Sequence, residues 1–134
     1  MDTVIDPRAS GYSVISLLES ITDKVEIDEK NGFILKGKEL ILAWTQERVE
    51  LREHGRVAAR VEGKSSLARV GVGIHVTAPT IHLGFKGYIQ LEIVNHGPYP
   101  IKLSVGMPVC QLIFEQTFGM PNRAYQGQFL GQSG

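Results

Sequence analysis

The sequence predicts an all-β domain of the sandwich or jelly-roll kind, and three observations carry that prediction. Fifteen glycines and six prolines break a 134-residue chain into short apolar runs, as many strands joined by tight turns require. The segment YIQLEIVN alternates, with Ile89, Leu91 and Ile93 on one face and Gln90, Glu92 and Val94 on the other. The turn-forming stretches HGPYP (96–100) and VGMP (105–108) space the later strands at short intervals.

Taken in order, the chain departs from this pattern near its start. SVISLLESITDK sets Val14, Leu17, Leu18 and Ile21 at helical spacing and predicts a short helix, although the β-branched Val14, Ile15 and Ile21 lower its propensity. ELILAWT and PVCQLIFE carry near-continuous apolar runs and read as strands buried on both faces. RVAARVE alternates, with Val57, Ala59 and Val61 on one side and Arg60 and Glu62 on the other. No repeat, linker or low-complexity tract interrupts the chain, so residues 1–134 read as one domain. Its last part, 119–134, includes the Gly- and Gln-rich YQGQFLGQSG and is expected to be a mobile tail.

The totals exclude several function classes. Acids and bases balance at 14 each, so no global field favours nucleic acid or anionic lipid, and neither is expected as a partner. One cysteine, Cys110, allows no intrachain disulfide and fits a reducing, cytoplasmic compartment. MDTVIDPRASG lacks the basic-then-apolar order of a secretory leader. No apolar run approaches the roughly 20 residues of a membrane helix. Metal-dependent nucleoside deamination needs an H-x-E and C-x-x-C arrangement, which this chain lacks. His54, His75, His82 and His96 are scattered without metal-ligand spacing, so no metal site is expected.

One stretch asks for more than core filling. EGKSSLARVGVGIHVTA, residues 62–78, bunches Lys64, Ser65, Ser66 and Arg69 ahead of a glycine-punctuated apolar run. Hydroxyl and cationic donors in that density suit an anion such as a phosphate. A capped helical turn with solvated charges accounts for them equally well. Similarly, Glu92 on the polar face of its strand is either a solvated charge or a working carboxylate.

The segment RVEGKSSLARVGVGIHVTAPTIHLGFKGYIQLE, from Arg60 to Glu92, resembles the dCTP deaminase branch of the trimeric dUTPase superfamily. SSLAR resembles its phosphate and catalytic motif, HVTA its active-site strand, and GFKGYIQLE the segment ending in the catalytic glutamate. NHGPYPIKLSVGMPVCQLIFE continues the likeness, FILKGKELILAWTQERVEL resembles the upstream strands, and AYQGQ resembles the closing C-terminal motif. The resemblance runs from Phe33 to Gln128. It implies a distorted jelly roll of the dUTPase-like (β-clip) type, assembled as a homotrimer with active sites between subunits and acting on dCTP, with dUTP or dTTP as further possible ligands.

Carried over residue by residue, the resemblance implies that Lys64, Ser65 and Ser66 hold the triphosphate, with lysine where the family usually has arginine. Ser65 and Arg69 join the catalytic set, Arg69 beside the carboxylate. The Ala78 carbonyl helps hold the attacking water, and Glu92 is general base and acid. Thr77, His82, Gln111, Tyr125 and Gln128 complete the nucleotide-binding set, the last two in the closing tail. Adding water at C4 and expelling ammonia without a metal requires such a carboxylate to take and return protons. Magnesium is expected only as a companion of the triphosphate, and dUTP as the product.

The chain departs from the family pattern at three places. His82 stands where a carboxylate is common, which argues against dUTP cleavage more than against deamination. Ala124 stands where a lysine is common, with Arg123 beside it. Ser13 falls in a region where an aspartate is expected, and the chain is short there for the family. The alternatives are a dUTP diphosphatase or bifunctional enzyme, a nucleotide-binding homologue without turnover, and a trimeric scaffold.

Overall fold

The computed structural model describes residues 14–119, which form two short helices and eight strands. The helix expected at the start is present as α1, Val14–Ile21. Leu17 and Leu18 are half-buried on it, while Ile15 and Ile21 stay exposed. After it, residues 22–32 run over the surface to a turn in which Asp28 Oδ1 accepts hydrogen bonds from the backbone N–H groups of Lys30 (2.8 Å) and Asn31 (2.7 Å).

The strands form three small antiparallel sheets. β1 (Phe33–Leu35) pairs with β7 (Ile101–Leu103). β2 (Leu40–Glu50) and β4 (Val72–Gly73) flank β6 (Lys86–Asn95). β5 (Thr80–Ile81) and β8 (Cys110–Gln116) flank β3 (Val57–Gly63). The second helix, α2, is a single turn, Ser65–Ala68, between β3 and β4.

Alternation along β6 and β3 places the core. Ile89, Leu91 and Ile93 are buried as expected, and so are Ala59 and Val61, whereas Val57 at the start of β3 is 42% exposed. These residues join Leu35, Val72, Ile74, Ile81 and Leu103 in one hydrophobic cluster, and their removal from water is the main favourable contribution to folding.

Two strands depart from expectation. ELILAWT and PVCQLIFE lie in β2 and β8, and neither is buried on both faces. Leu40 is 52% exposed, Trp44 38% and Phe114 62%. Among the described residues each strand is an edge, β2 pairing only β6 and β8 only β3, so no described strand pairs along its outer side. β2 also breaks register between Trp44 and Arg48. There Thr45 Oγ1 accepts the Ile89 N–H at 2.9 Å and donates to the Glu47 carbonyl at 2.8 Å, so a side chain takes over a bond that the bulge removes from the ladder.

At the end of β6, Asn95 is fully buried. Its Nδ2 donates to the carbonyls of Leu35 (3.2 Å) and Tyr99 (2.8 Å), and its Oδ1 accepts the Gly97 N–H (3.0 Å). Its backbone N–H donates to the Glu39 carbonyl (3.0 Å), while its carbonyl accepts the Lys38 N–H (2.8 Å). One residue, through its side-chain amide and its backbone, therefore joins β1, the β1–β2 turn and the corner after β6. Asn95→Ala removes three hydrogen bonds made from a fully buried side chain, at about 1 kcal/mol each before relaxation. Urea unfolding is expected to lose about 3 kcal/mol with an unchanged m-value; a loss below about 1 kcal/mol would contradict this role.

Candidate active site

The structure brings part of the expected set into one cavity of ≈ 280 Å³ between β6 and the β3–β5 pair. Val61, Ile74, Ile81, Phe85, Ile89 and Leu91 supply its apolar lining, and His75, Thr80, His82, Gln90 and Glu92 its polar groups, with Ala78 and Pro79 at the side. The walls follow from local folding. The Val61 N–H donates to the Pro79 carbonyl (2.9 Å), and Ala59 and Arg60 then pair with Ile81 and Thr80, so residues 79–81 run along β3 and face β6.

Glu92 is half-buried. Its Oε2 accepts a long hydrogen bond, 3.4 Å, from the Val76 N–H, which aims a backbone dipole at the carboxylate. Among the described residues His75, which lines the cavity, has its Nδ1 buried with no hydrogen-bond partner. The cavity lies just below the roughly 300–1,000 Å³ of sites that enclose drug-sized ligands. It has room for a ring-sized group.

The remaining expected residues stand elsewhere. Ser65 and Ser66 are on the exposed side of α2, which is anchored by buried Leu67. Their hydroxyls make no hydrogen bond among the described residues. Lys64 occupies the N-cap position but its side chain caps nothing. Locally this is the helical turn, uncapped, that the sequence left open against an anion site. Arg69 follows as the C-cap and is exposed. Among the described residues the ion pairs link Arg48, Arg60 and Lys86 to Glu50, Glu62 and Glu115, and none joins Arg69 to Glu92. The expected side-by-side placement of Arg69 and the carboxylate is therefore not formed within one chain, because α2 turns its polar face to solvent while Glu92 faces the cavity.

Thr77 is exposed and does not line the cavity. Gln111 is exposed on β8, opposite Glu62, with Nε2 3.4 Å from the Gly63 carbonyl, so it belongs to the α2 side. Ser13, Arg123, Ala124, Tyr125 and Gln128, and all of the tail beyond Gly119, lie outside the described residues. Among the described residues no group of three or more His, Cys, Asp or Glu is placed to hold a metal ion, and no helix is long and apolar enough to cross a membrane.

A family model described as dCTP deaminase-like matches residues 1–117. The chain belongs to the dCTP deaminase-like family. A dUMP-forming dCTP deaminase of Methanosphaera stadtmanae is 39% identical over 122 residues, covering 87% of this chain and 61% of that protein. The enzyme of the same name from Methanobrevibacter smithii is 43% identical over 111 residues, covering 83% and 54%. That from Corynebacterium glutamicum is 40% identical over 129 residues, covering 96% and 64%. The chain thus spans a little over half the length of the first of these relatives. The fold is similar to that of native EIAV dUTPase, with TM-score 0.56 and 25% identity over 72% of this chain and 77% of that one. The dUTPase-like jelly roll expected from the resemblance is the fold observed.

Cys110 gives a check on the α2 side of the molecule, since it pairs with Gly63 directly before Lys64. Partial burial pushes its thiol pKa up, with the negative Glu47 adding to the effect. The folded state therefore disfavours the thiolate. Stability is intact below the ordinary thiol pKa and declines as pH rises through it. At pH 8 iodoacetamide is expected to modify Cys110 more slowly in the folded protein than in urea, since the thiolate is the nucleophile; equal rates would contradict this environment.

Proposed function

We propose that this chain, as part of a homotrimer, deaminates dCTP: water adds at C4 of the cytosine ring and ammonia leaves, giving dUTP. The observation that carries the reading is Glu92, the carboxylate lining an apolar-walled cavity in a chain 39–43% identical to named dCTP deaminases. In this role Glu92 takes the proton of the attacking water and returns protons to the ring and the leaving amine. The Ala78 carbonyl holds the water, and the Val76 N–H, 3.4 Å from Oε2, orients the carboxylate. His75 Nδ1 and His82 are polar partners for the base and sugar.

The triphosphate does not fit a 280 Å³ cavity together with the nucleoside and extends out of it. Ser65, Ser66, Lys64 and Arg69 are the donors suited to it, with Gln111 beside them and Thr77, Tyr125 and Gln128 completing the nucleotide-binding set. Because Arg69 does not reach Glu92 in its own chain, we assign the two to different subunits of one shared site. Exposed Phe114 and Phe118 at 62% and 91%, and Val57 and Ile113 at 42% and 36%, lie along or next to the β3–β8 pair and supply apolar surface for such assembly. Magnesium enters with the triphosphate as part of the substrate, and the cytoplasm is the compartment of the reaction.

A second reading concerns the product. Relatives at 39–43% identity are named dUMP-forming, which favours a further hydrolysis of dUTP to dUMP and pyrophosphate on the same protein. Following ammonia and pyrophosphate together separates the two, since ammonia alone means dUTP and equal amounts of both mean dUMP.

Glu92→Gln keeps the side chain's size and removes its basicity. It is expected to lower ammonia release from dCTP by at least about 100-fold, the scale of lost general acid–base catalysis, with dCTP affinity changed only severalfold. Unaltered turnover would remove Glu92 from the reaction. Arg69→Ala should reduce kcat/KM by about 10- to 100-fold, as loss of a charge-assisted contact does.

A further inference from the structure

We infer that the backbone contact between Gly71 and Gly97 is a positioning contact for the reaction, setting where Arg69 stands. The inference rests on the role given to Arg69 above. Nothing at the guanidinium end holds this residue, which makes no ion pair or hydrogen bond among the described residues. Its position is inherited from the backbone of α2 and of the residues that follow. Leu67 anchors the middle of α2 in the core, and no side chain caps its start, so the exit of the helix fixes its remaining freedom.

That exit is built on glycine. The Val70 N–H donates to the Leu67 carbonyl (3.1 Å), and the Gly71 N–H to the Ala68 carbonyl (3.0 Å). Gly71 adopts φ +91, where other residues are strained. The Gly71 carbonyl then accepts the His96 N–H at 2.7 Å. A Cβ on Gly71 would lie 2.7 Å from the Gly97 nitrogen, and one on Gly97 would lie 3.0 Å from the Val70 carbonyl oxygen. Gly97 is not among the residues of positive φ, so a turn conformation does not explain glycine there, whereas close approach does. Gly97 is held in turn by Asn95 Oδ1 (3.0 Å).

The same chain segment serves both catalytic groups. Val72 and Gly73 pair with Asn95 and Val94 on β6, and three residues further on the Val76 N–H reaches Glu92. Strand pairing already secures β4. The extra glycine contact lies upstream of it, on the Arg69 side, where a shift of Val70 passes directly to its neighbour.

The test is a double-mutant cycle on the full chain, with Gly97→Ala measured alone and in an Arg69→Ala background, reading ammonia release from dCTP and urea stability. The added methyl forces the Val70 carbonyl to give way by a few tenths of an ångström. We expect a folded protein with turnover about tenfold lower, the scale of misplacing a catalytic group by less than 1 Å. In the Arg69→Ala background the same methyl should cost less than about twofold, because the group it displaces is gone. A merely structural effect would cost the same factor in both backgrounds and would overturn the inference, as would unchanged turnover in Gly97→Ala. Gly71→Ala, which strains the same contact harder, should show the same non-additivity. Failure of both variants to fold would also overturn it, since the contact would then serve the fold alone. A wild-type chain that releases no ammonia, or an Arg69→Ala variant with full turnover, would instead sink the proposed function.

Discussion

A fully buried amide with three hydrogen bonds, at the end of the longest core strand, is the constraint around which this molecule is arranged. Asn95 closes β6 and binds the carbonyls of Leu35 and Tyr99 and the N–H of Gly97. Burying such a group without partners costs several kcal/mol, so each partner segment is held where its polar atom is needed. Three residues before it on β6 stands Glu92, facing the cavity. Two residues after it stands Gly97, on which the backbone beyond Arg69 rests. Glu92 and Arg69 are thus referred to one strand end, although they form no ion pair within the chain.

This arrangement gives the exposed apolar residues a physical sense. An edge strand carrying Phe114, next to an exposed Phe118, is a poor surface for an isolated monomer. A site that leaves Arg69 outward and its cavity too small for a triphosphate is incomplete in the same way. The proposed assembly would answer both, burying apolar edges and bringing a second chain's donors to the mouth of the cavity. The closed symmetry common to homo-oligomers would give each subunit one such site.

Much of the fold was legible in the residues, for reasons that can be named. The YIQLEIVN alternation assigned the inward and outward faces of β6, because side chains on a strand have period two whatever they pack against. Helical spacing identified α1 despite its β-branched residues. The runs in β2 and β8 misled, since an apolar run does not report whether its strand is central or at an edge, and both are edges among the described residues. Asn95 gave no sequence signal at all; an asparagine before HGP reads as part of a turn, and its burial depends on carbonyls contributed by Leu35, 60 residues away. Within the site, motif context selected Glu92, Ala78 and His82, and all three line the cavity. His75 and the Val76 N–H were missed. The only signal for them was their place in HVTA, and a backbone donor has no residue type to read.

Complementation tests most directly the proposed pairing of Glu92 of one subunit with Arg69 of another. Glu92→Gln and Arg69→Ala chains, each strongly impaired as a pure protein, are co-expressed in equal amounts, purified as mixed oligomers and assayed for ammonia release from dCTP. Random assembly should restore about a quarter of wild-type sites, those pairing an intact Glu92 with an intact Arg69 across an interface. Mixed oligomers no more active than the pure variants would contradict a shared site and return both residues to a single chain.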